Sequence, residues 1–248
     1  MPTLYVVATP IGNLSDMSPR AIETLRSVQL IAAEDTRVTM KLLNAFDIST
    51  PLTSCHEHNE RSKAVQIAER MLAENIDVAV TTDAGTPCIS DPGSVLVREA
   101  AQRGIPVAAV SGPTAMASAL SVSGMDISEF TFYGFLPRQK NELRDKLTDM
   151  ARHSKIAVVH ESPHRVIELL QQVQAVLPHT YVSASCDLTK KFEQTLRGPV
   201  EQVLRLLEEN PKADKGEYCL CLRWAEEDIP APEAVREDIS LEARLFDG

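Results

Sequence analysis

The residues able to do chemistry cluster in short segments, each directly after an apolar run. The segments Thr9 to Asn13, Asp83 to Gly93 and Ser111 to Ala115 are rich in glycine, proline and small polar residues. Small side chains let a backbone approach a ligand closely, and Asp83 can accept hydrogen bonds from a ribose or an amino group. Any one such loop reads as a tight turn; three of the same character shift the balance toward a ligand site. In the second half, Glu161-Ser162-Pro163-His164-Arg165 and Asp187-Leu188-Thr189-Lys190-Lys191 also follow apolar runs. A carboxylate, hydroxyls and lysines there could serve proton transfer or phosphate contact. Taken alone, each is equally a solvated loop.

Several other chemistries fail on spacing. G-x-G-x-x-G, G-x-x-x-x-G-K-[ST] and G-x-S-x-G do not occur, which removes the dinucleotide fingerprint, the P-loop and the nucleophile elbow. Ile89-Ser90-Asp91-Pro92-Gly93 has no histidine spacing to support a nucleophile turn. His56-Glu57-His58-Asn59-Glu60 leads into a helical pattern, so its histidines do not converge as a metal site requires; a polar loop with a helix cap is the better reading, and no metal site is expected. Cys219 and Cys221 share one face of an apolar strand and read as buried thiols.

The elements that must position these loops follow from periodicity. Strands are expected over 4–8, 28–33, 52–55, 77–82 and 105–110. Helices are expected from the Ser18-Pro19 cap to 27, over 37–45, from an Asn59 cap to 75 with Ala64, Ile67, Ala68, Met71 and Leu72 on one face, and over 93–103 before Gly104. Near-continuous apolar strands alternating with helices predict a parallel sheet covered on both faces, with its ligand crevice beyond the strand C-termini. A small-residue helix over 113–123 leads across a join that ends near Ser123-Gly124-Met125. Strands then recur over 130–135, 155–160, 180–186, 192–197 and 216–224, with helices over 138–152, 163–176 and 199–209. The expected division is 1–115, 116–225 and an exposed acidic tail, 226–248.

At 248 residues, 44% apolar, the chain can bury a sizeable core. Acidic residues outnumber basic ones 35 to 25, a net −10, which argues against a nonspecific nucleic-acid coat, since that rests on a dense basic surface. The segment from Arg138 to Arg165 is locally basic, and a solvated helix face is its commoner meaning. Aromatic residues, 4% of the chain, do not interleave with these bases, so no stacking platform for RNA is evident. There is no apolar run long enough to cross a membrane, the N-terminus lacks a basic signal region, and five cysteines form no C-x-x-C pair. A reduced cytoplasmic setting is expected.

Seven blocks occur in order: Ala8-Thr9-Pro10-Ile11-Gly12-Asn13-Leu14, Ala33-Glu34-Asp35-Thr36-Arg37, Asp83-Ala84-Gly85-Thr86-Pro87, Asp91-Pro92-Gly93, Gly134-Phe135-Leu136-Pro137, Glu161-Ser162-Pro163-His164-Arg165 and Leu188-Thr189-Lys190. Together they resemble the bacterial small-subunit ribosomal RNA (cytidine-2′-O)-methyltransferases of the tetrapyrrole methylase family. The resemblance implies a two-domain α/β fold, with a parallel five-stranded sheet in the N-terminal domain, a mixed sheet in the C-terminal domain and a cofactor cleft between them. It implies a homodimer that binds S-adenosylmethionine and methylates the ribose of a cytidine in the decoding region of 16S rRNA on the small ribosomal subunit. It places the cofactor against Pro10, Gly12, Asn13, Asp83, Ala84, Gly85, Thr86, Thr114 and Ala115, with His160, Asp187 and Glu217 closing over it. Lys190 is the first candidate for stabilising a forming alkoxide, Glu161 for a base or substrate orienter, and Arg37 for a phosphate contact. Three departures from the family's pattern stand out: Cys186-Asp187 replaces Arg-Glu, His160 replaces a frequent tyrosine, and the acidic tail stands where many relatives carry a basic segment. Methylation of a tetrapyrrole or other small molecule, and a non-catalytic cofactor-binding module, are the rival readings.

Overall fold

The computed structural model describes residues 1–229. Its first half is a five-stranded, wholly parallel sheet in the order β3-β2-β4-β1-β5, from β1 (Leu4–Val7), β2 (Leu30–Ala33), β3 (Leu52–Ser54), β4 (Val78–Thr81) and β5 (Val107–Val110). All four residues of β2 and of β4 are buried, as expected of strands covered on both faces.

The helices divide between those faces. Ala21 and Leu25 of α1 (Pro19–Ser27) and Leu43 of α2 (Thr36–Ala45) pack with Val7, Ile31 and Ala79. Ala64, Ile67, Ala68 and Met71 of α3 (Glu60–Glu74) and Leu96 and Ala100 of α4 (Ser94–Gln102) pack with Leu4, Ala32 and Val80 on the other side. The adjacent strands β1 and β4 therefore send their chains to opposite faces. That divergence makes a topological switch point, where open α/β sheets carry their ligand crevice.

The local sequence explains the helix ends. Ser18 Oγ accepts from the Ala21 amide at 3.1 Å, and Pro19 opens α1. Asp35 Oδ1 accepts from the Arg37 amide at 2.8 Å and caps α2. Gly104, at φ +72, follows α4 as expected. Asn59 precedes α3 but does not cap it, because its Oδ1 accepts from the His56 amide instead, at 2.9 Å. Leu72, expected on the buried face of α3, is half exposed: the apolar stripe ends at Met71. The His56–Glu60 motif has a structural role. Buried Glu60 reaches 33 residues along the chain, and its Oε1 accepts from the amides of Gly93 (2.6 Å) and Val95 (2.9 Å). It thereby caps α4, whose own preceding residue is a glycine.

The second half is a mixed sheet in the order β6-β7-β10-β8-β9, from β6 (Thr131–Phe135), β7 (Ile156–Glu161), β8 (Tyr181–Cys186), β9 (Gln194–Pro199) and β10 (Tyr218–Arg223). Only β6 and β7 run parallel. The helices α6 (Lys140–His153), α7 (Val166–Val176) and α8 (Val200–Glu208) cover one face over Tyr218, Leu220 and Leu222. The other face, with Cys219 and Cys221, packs on Ala119 and Leu120 of α5 (Ala115–Val122). Both thiols are buried there, as their alternation predicts. The helix expected from 163 starts at Val166; Ser162 to Arg165 form a turn in which the Ser162 carbonyl accepts from the Arg165 and Val166 amides. The acidic tail lies outside the described residues from 230 onward. Its first residues are held, since Asp228 accepts from the His179 amide at 2.7 Å. Among the described residues no helix is long and apolar enough to cross a membrane.

Candidate active site

The three glycine- and proline-rich loops are tied to one another. Thr9 and Gly85 exchange backbone hydrogen bonds at 2.9 and 3.1 Å, and Thr86 Oγ1 donates to the Pro113 carbonyl at 3.2 Å. Gly85 needs its glycine on two counts: its φ is +88, and a Cβ would lie 3.3 Å from Ile11 Cγ2. Behind them, Glu34 Oε2 accepts from Thr82 Oγ1 at 2.5 Å and from the Asp83 amide at 3.2 Å.

These loops form one wall of a cavity of about 370 Å³, and the second sheet forms the other. Ala84, Gly85, Thr86, Thr114 and Ala115, all expected at the cofactor, line it together with His160, Glu161 and Glu217 from the second half. Four residues expected in the same group, Pro10, Gly12, Asn13 and Asp83, instead border a second cavity of about 300 Å³ beside α2. Neighbouring residues of an extended loop face opposite ways, so one segment serves two hollows. Ile89, Ser90, Asp91, Ile11, Met116, Phe132, Phe135 and Leu188 are among the other residues that line the first cavity. Ile11 and residues 89–91 lie within loops that the sequence already marks for a ligand; Met116, Phe132, Phe135 and Leu188 are not among the binding residues expected from the sequence, although Phe135 and Leu188 stand inside two of the seven blocks.

Glu161 is buried, and one oxygen accepts from the Ser162 amide at 2.7 Å. The other, Oε2, has no hydrogen-bond partner; the Arg165 guanidinium lies 3.5 Å away. An unmet buried carboxylate oxygen in a cavity wall is a receptor for a donor not yet present. His160 stacks edge-on to Phe132 (5.2 Å between centroids) and tilted to Phe135 (5.8 Å). Burial holds its pKa below the usual imidazole value, against the opposing charge of Glu217. Burial, helped by the charge of Glu34, pushes the carboxyls of Asp83 and Asp91 above the usual range.

Lys190 spans the cleft. Its Nζ donates to Asp187 Oδ1 at 2.9 Å and to Glu217 Oε2 at 3.0 Å, and its Cγ lies where a Cβ on Gly12 would come within 2.4 Å. Burial pulls the ammonium's pKa down, but the bonds and charges of its two carboxylate partners outweigh that, and the pKa is raised. The loop carrying it is strained: Asp187 and Thr189 both have positive φ (52° and 65°), which is costly for a β-branched residue such as Thr189. Gly216, at φ +88, leaves room for it; a Cβ there would meet Asp187 Oδ2 at 2.8 Å. Arg37 does not join this group. It is exposed and paired through Nε and a terminal nitrogen with Asp35, whose carboxyl it holds well below the usual range.

Elsewhere, Arg144, Lys146, Lys155 and Arg165 of the locally basic segment are engaged within the chain, consistent with a solvated surface. A stacking feature appears where the sequence showed none. Phe192 is 76% exposed, and the ammonium groups of Lys191 and Lys212 lie 5.5 and 6.0 Å from its ring centre.

A cleft between a parallel α/β half and a mixed-sheet half, walled by these loops, defines a class. The chain belongs to the family of tetrapyrrole (corrin/porphyrin) methylases, whose model matches residues 3–204. Within it lie relatives named ribosomal RNA small subunit methyltransferase I, as the seven blocks indicate. That of Halalkalibacterium halodurans is 42% identical over 238 residues, covering 96% of this chain and 81% of the relative. That of Escherichia coli O157:H7 is 41% identical over 246 residues, covering 98% and 85%. Solved structures share the fold at low identity. Uroporphyrin-III-C-methyltransferase from Thermus thermophilus has a TM-score of 0.58 at 17% identity, covering 93% of this chain and all of that one. Diphthine synthase has a TM-score of 0.67 at 12% identity, covering 90% of each.

Proposed function

We propose that this protein is an S-adenosylmethionine-dependent methyltransferase acting on the ribose 2′-hydroxyl of a cytidine in small-subunit rRNA. The observation that carries the reading is the cavity between the two halves, in a chain about 40% identical over nearly its whole length to rRNA small subunit methyltransferases.

The cavity suits the cofactor. Ile11, Met116, Phe132 and Leu188 offer apolar walls, the Ala84–Thr86 backbone approaches closely, and Asp91, Glu161 and Glu217 present carboxylates to a positively charged ligand. The unmet oxygen of Glu161 is a ready acceptor. S-adenosylmethionine, when bound, supplies a methyl group already activated on a sulfonium. The chain then has mainly to align the hydroxyl and exclude water. Lys190 has three N–H donors, and Asp187 and Glu217 take two. The third is free to hold negative charge at the ribose 2′ oxygen as its proton leaves. Its raised pKa keeps Lys190 cationic at neutral pH, which suits it to that role and not to that of a base. Glu161 is the candidate proton acceptor or substrate orienter. Arg37, exposed and paired with Asp35, is the candidate phosphate contact.

The substrate is the assembled small subunit, the working form a homodimer and the compartment the cytoplasm. Phe192 between two lysines supports an RNA partner, since an aromatic face beside cations suits a base and its phosphate. The net charge of −10 favours a folded, protein-bearing particle over naked RNA. The test is incubation with labelled S-adenosylmethionine, small subunits from cells lacking this protein and a porphyrinoid as competing acceptor. Label in rRNA supports the reading; label only in a porphyrinoid, or cofactor binding without transfer, overturns it. Lys190→Ala and Glu161→Gln that bind cofactor yet turn over at the wild-type rate would remove those two assignments.

A further inference from the structure

We propose that the second cavity, beside α2, receives the base of the nucleotide to be methylated, with the Thr39 hydroxyl and the Asp83 carboxylate reading its edge. The inference rests on the RNA-methylation reading and deepens it. Thr39 is 2% exposed and lines this cavity, yet its Oγ1 has no hydrogen-bond partner. A buried hydroxyl left unmet in a cavity wall calls for a partner that the free chain does not supply.

The surroundings specify what that partner is. Pro10, Leu14, Val38 and Leu42 give apolar walls of the kind that hold a flat ring, and proteins that read an extruded base combine such walls with hydrogen bonds to its edge. A cavity of about 300 Å³ accommodates a pyrimidine nucleoside. Asp83 Oδ1 accepts from the Asp35 amide at 3.1 Å, leaving Oδ2 for a donor. The N4 amino group of cytosine is such a donor, whereas uracil presents an acceptor there. Lys41, exposed at the rim, is placed for a phosphate.

Position supports the same occupant. Ile11 faces the cofactor cavity while Pro10 and Gly12 border the second, and Ala84 faces the first while Asp83 borders the second. Ligands in the two hollows are therefore separated by a single thickness of loop. The Lys190 stem packs against Gly12 in the wall of the second cavity, so a ribose attached to the bound base would lie beside that lysine.

The test is methyl-detected NMR on the full chain titrated with cytidine 5′-monophosphate. Shifts should concentrate on the Val38 and Leu42 methyls, and uridine 5′-monophosphate should bind more weakly. Thr39→Val should weaken cytidine binding about fivefold, the loss of one neutral hydrogen bond, and Thr39→Ser should restore it. Because the hydroxyl is unpaired in the free chain, Thr39→Val should melt no lower than wild type and bind S-adenosylmethionine unchanged. Absence of shifts at Val38 and Leu42, equal affinity in Thr39→Val, or a lower melting temperature for that variant would each overturn the assignment while wild-type transfer to rRNA still stands. A wild-type protein that transfers nothing to rRNA would overturn the underlying reading and the occupant with it.

Discussion

Replacing Gly12 by alanine probes the crossing point of the cleft with a single methyl group. Gly12 has no positive φ, so alanine meets no backbone penalty and the effect is one of space. Its Cβ would lie 2.4 Å from Lys190 Cγ and 3.1 Å from the Leu188 carbonyl oxygen. Carbon atoms rest about 3.5–4.0 Å apart, so the lysine stem must retreat by roughly 1 Å or more. Its Nζ bonds to Asp187 and Glu217 measure 2.9 and 3.0 Å, and such a retreat breaks at least one. A hydrogen bond to a charged group is worth about 1.5–3 kcal/mol, and a misplacement of about 1 Å at a reacting centre costs on the order of 100-fold in rate. We therefore expect kcat for transfer to small subunits to fall about 10–100-fold. Cofactor affinity, read by calorimetry, should change little, because Gly12 borders the second cavity and not the first. Wild-type kcat in Gly12→Ala would refute the placement of Lys190 at the reacting centre. A loss confined to cofactor affinity would show that Gly12 belongs to the cofactor site.

Other perturbations test separate parts of the structure. Glu60→Ala leaves the Gly93 and Val95 amides without their acceptor, which should cost about 1–3 kcal/mol in urea unfolding, while Glu60→Gln keeps an acceptor oxygen and should recover part of it; equal stability of all three proteins would deny the cap. Burial lowers the folded-state pKa of His160 below the ordinary imidazole value of 6.5, so as pH falls through 6.5 the unfolded chain takes up that proton first and folding is disfavoured. The melting-temperature advantage of wild type over His160→Gln should therefore shrink between pH 7.5 and 5.5, and a constant difference would count against the burial of a neutral ring. Phe192→Ala should weaken binding to small subunits by about 1–3 kcal/mol with unchanged thermal stability, the ring being 76% exposed; undiminished binding would remove Phe192 from the RNA surface.

The architecture was legible because most of its strands, such as β1, β2, β4 and β5, are short apolar runs and its helix ends bear local signals such as Ser18-Pro19 and Gly104. The ligand character of the loops was equally local, and Gly85, Thr86 and Ala115 do line the cleft. What could not be read is what depends on direction or distance. Pro10 and Ile11 are adjacent in the chain but face different cavities, which composition does not encode. Ile89 to Asp91 lie in a loop whose composition marks it for a ligand, but what holds its Gly93 end, the Glu60 carboxylate, comes from 33 residues away. Glu217 meets Lys190 across 27 residues, and Lys212 reaches Phe192 from the segment between α8 and β10. Each of these pairings exists only once the sheets have formed.

Digestion of rRNA to nucleosides, after small subunits have been methylated by the protein with labelled S-adenosylmethionine, reads both the donor and the atom modified. We predict label in 2′-O-methylcytidine, and much less of it with Lys190→Ala. Label on a base carbon or nitrogen, or no label in rRNA from a protein that binds the cofactor, would contradict ribose methylation at this cleft.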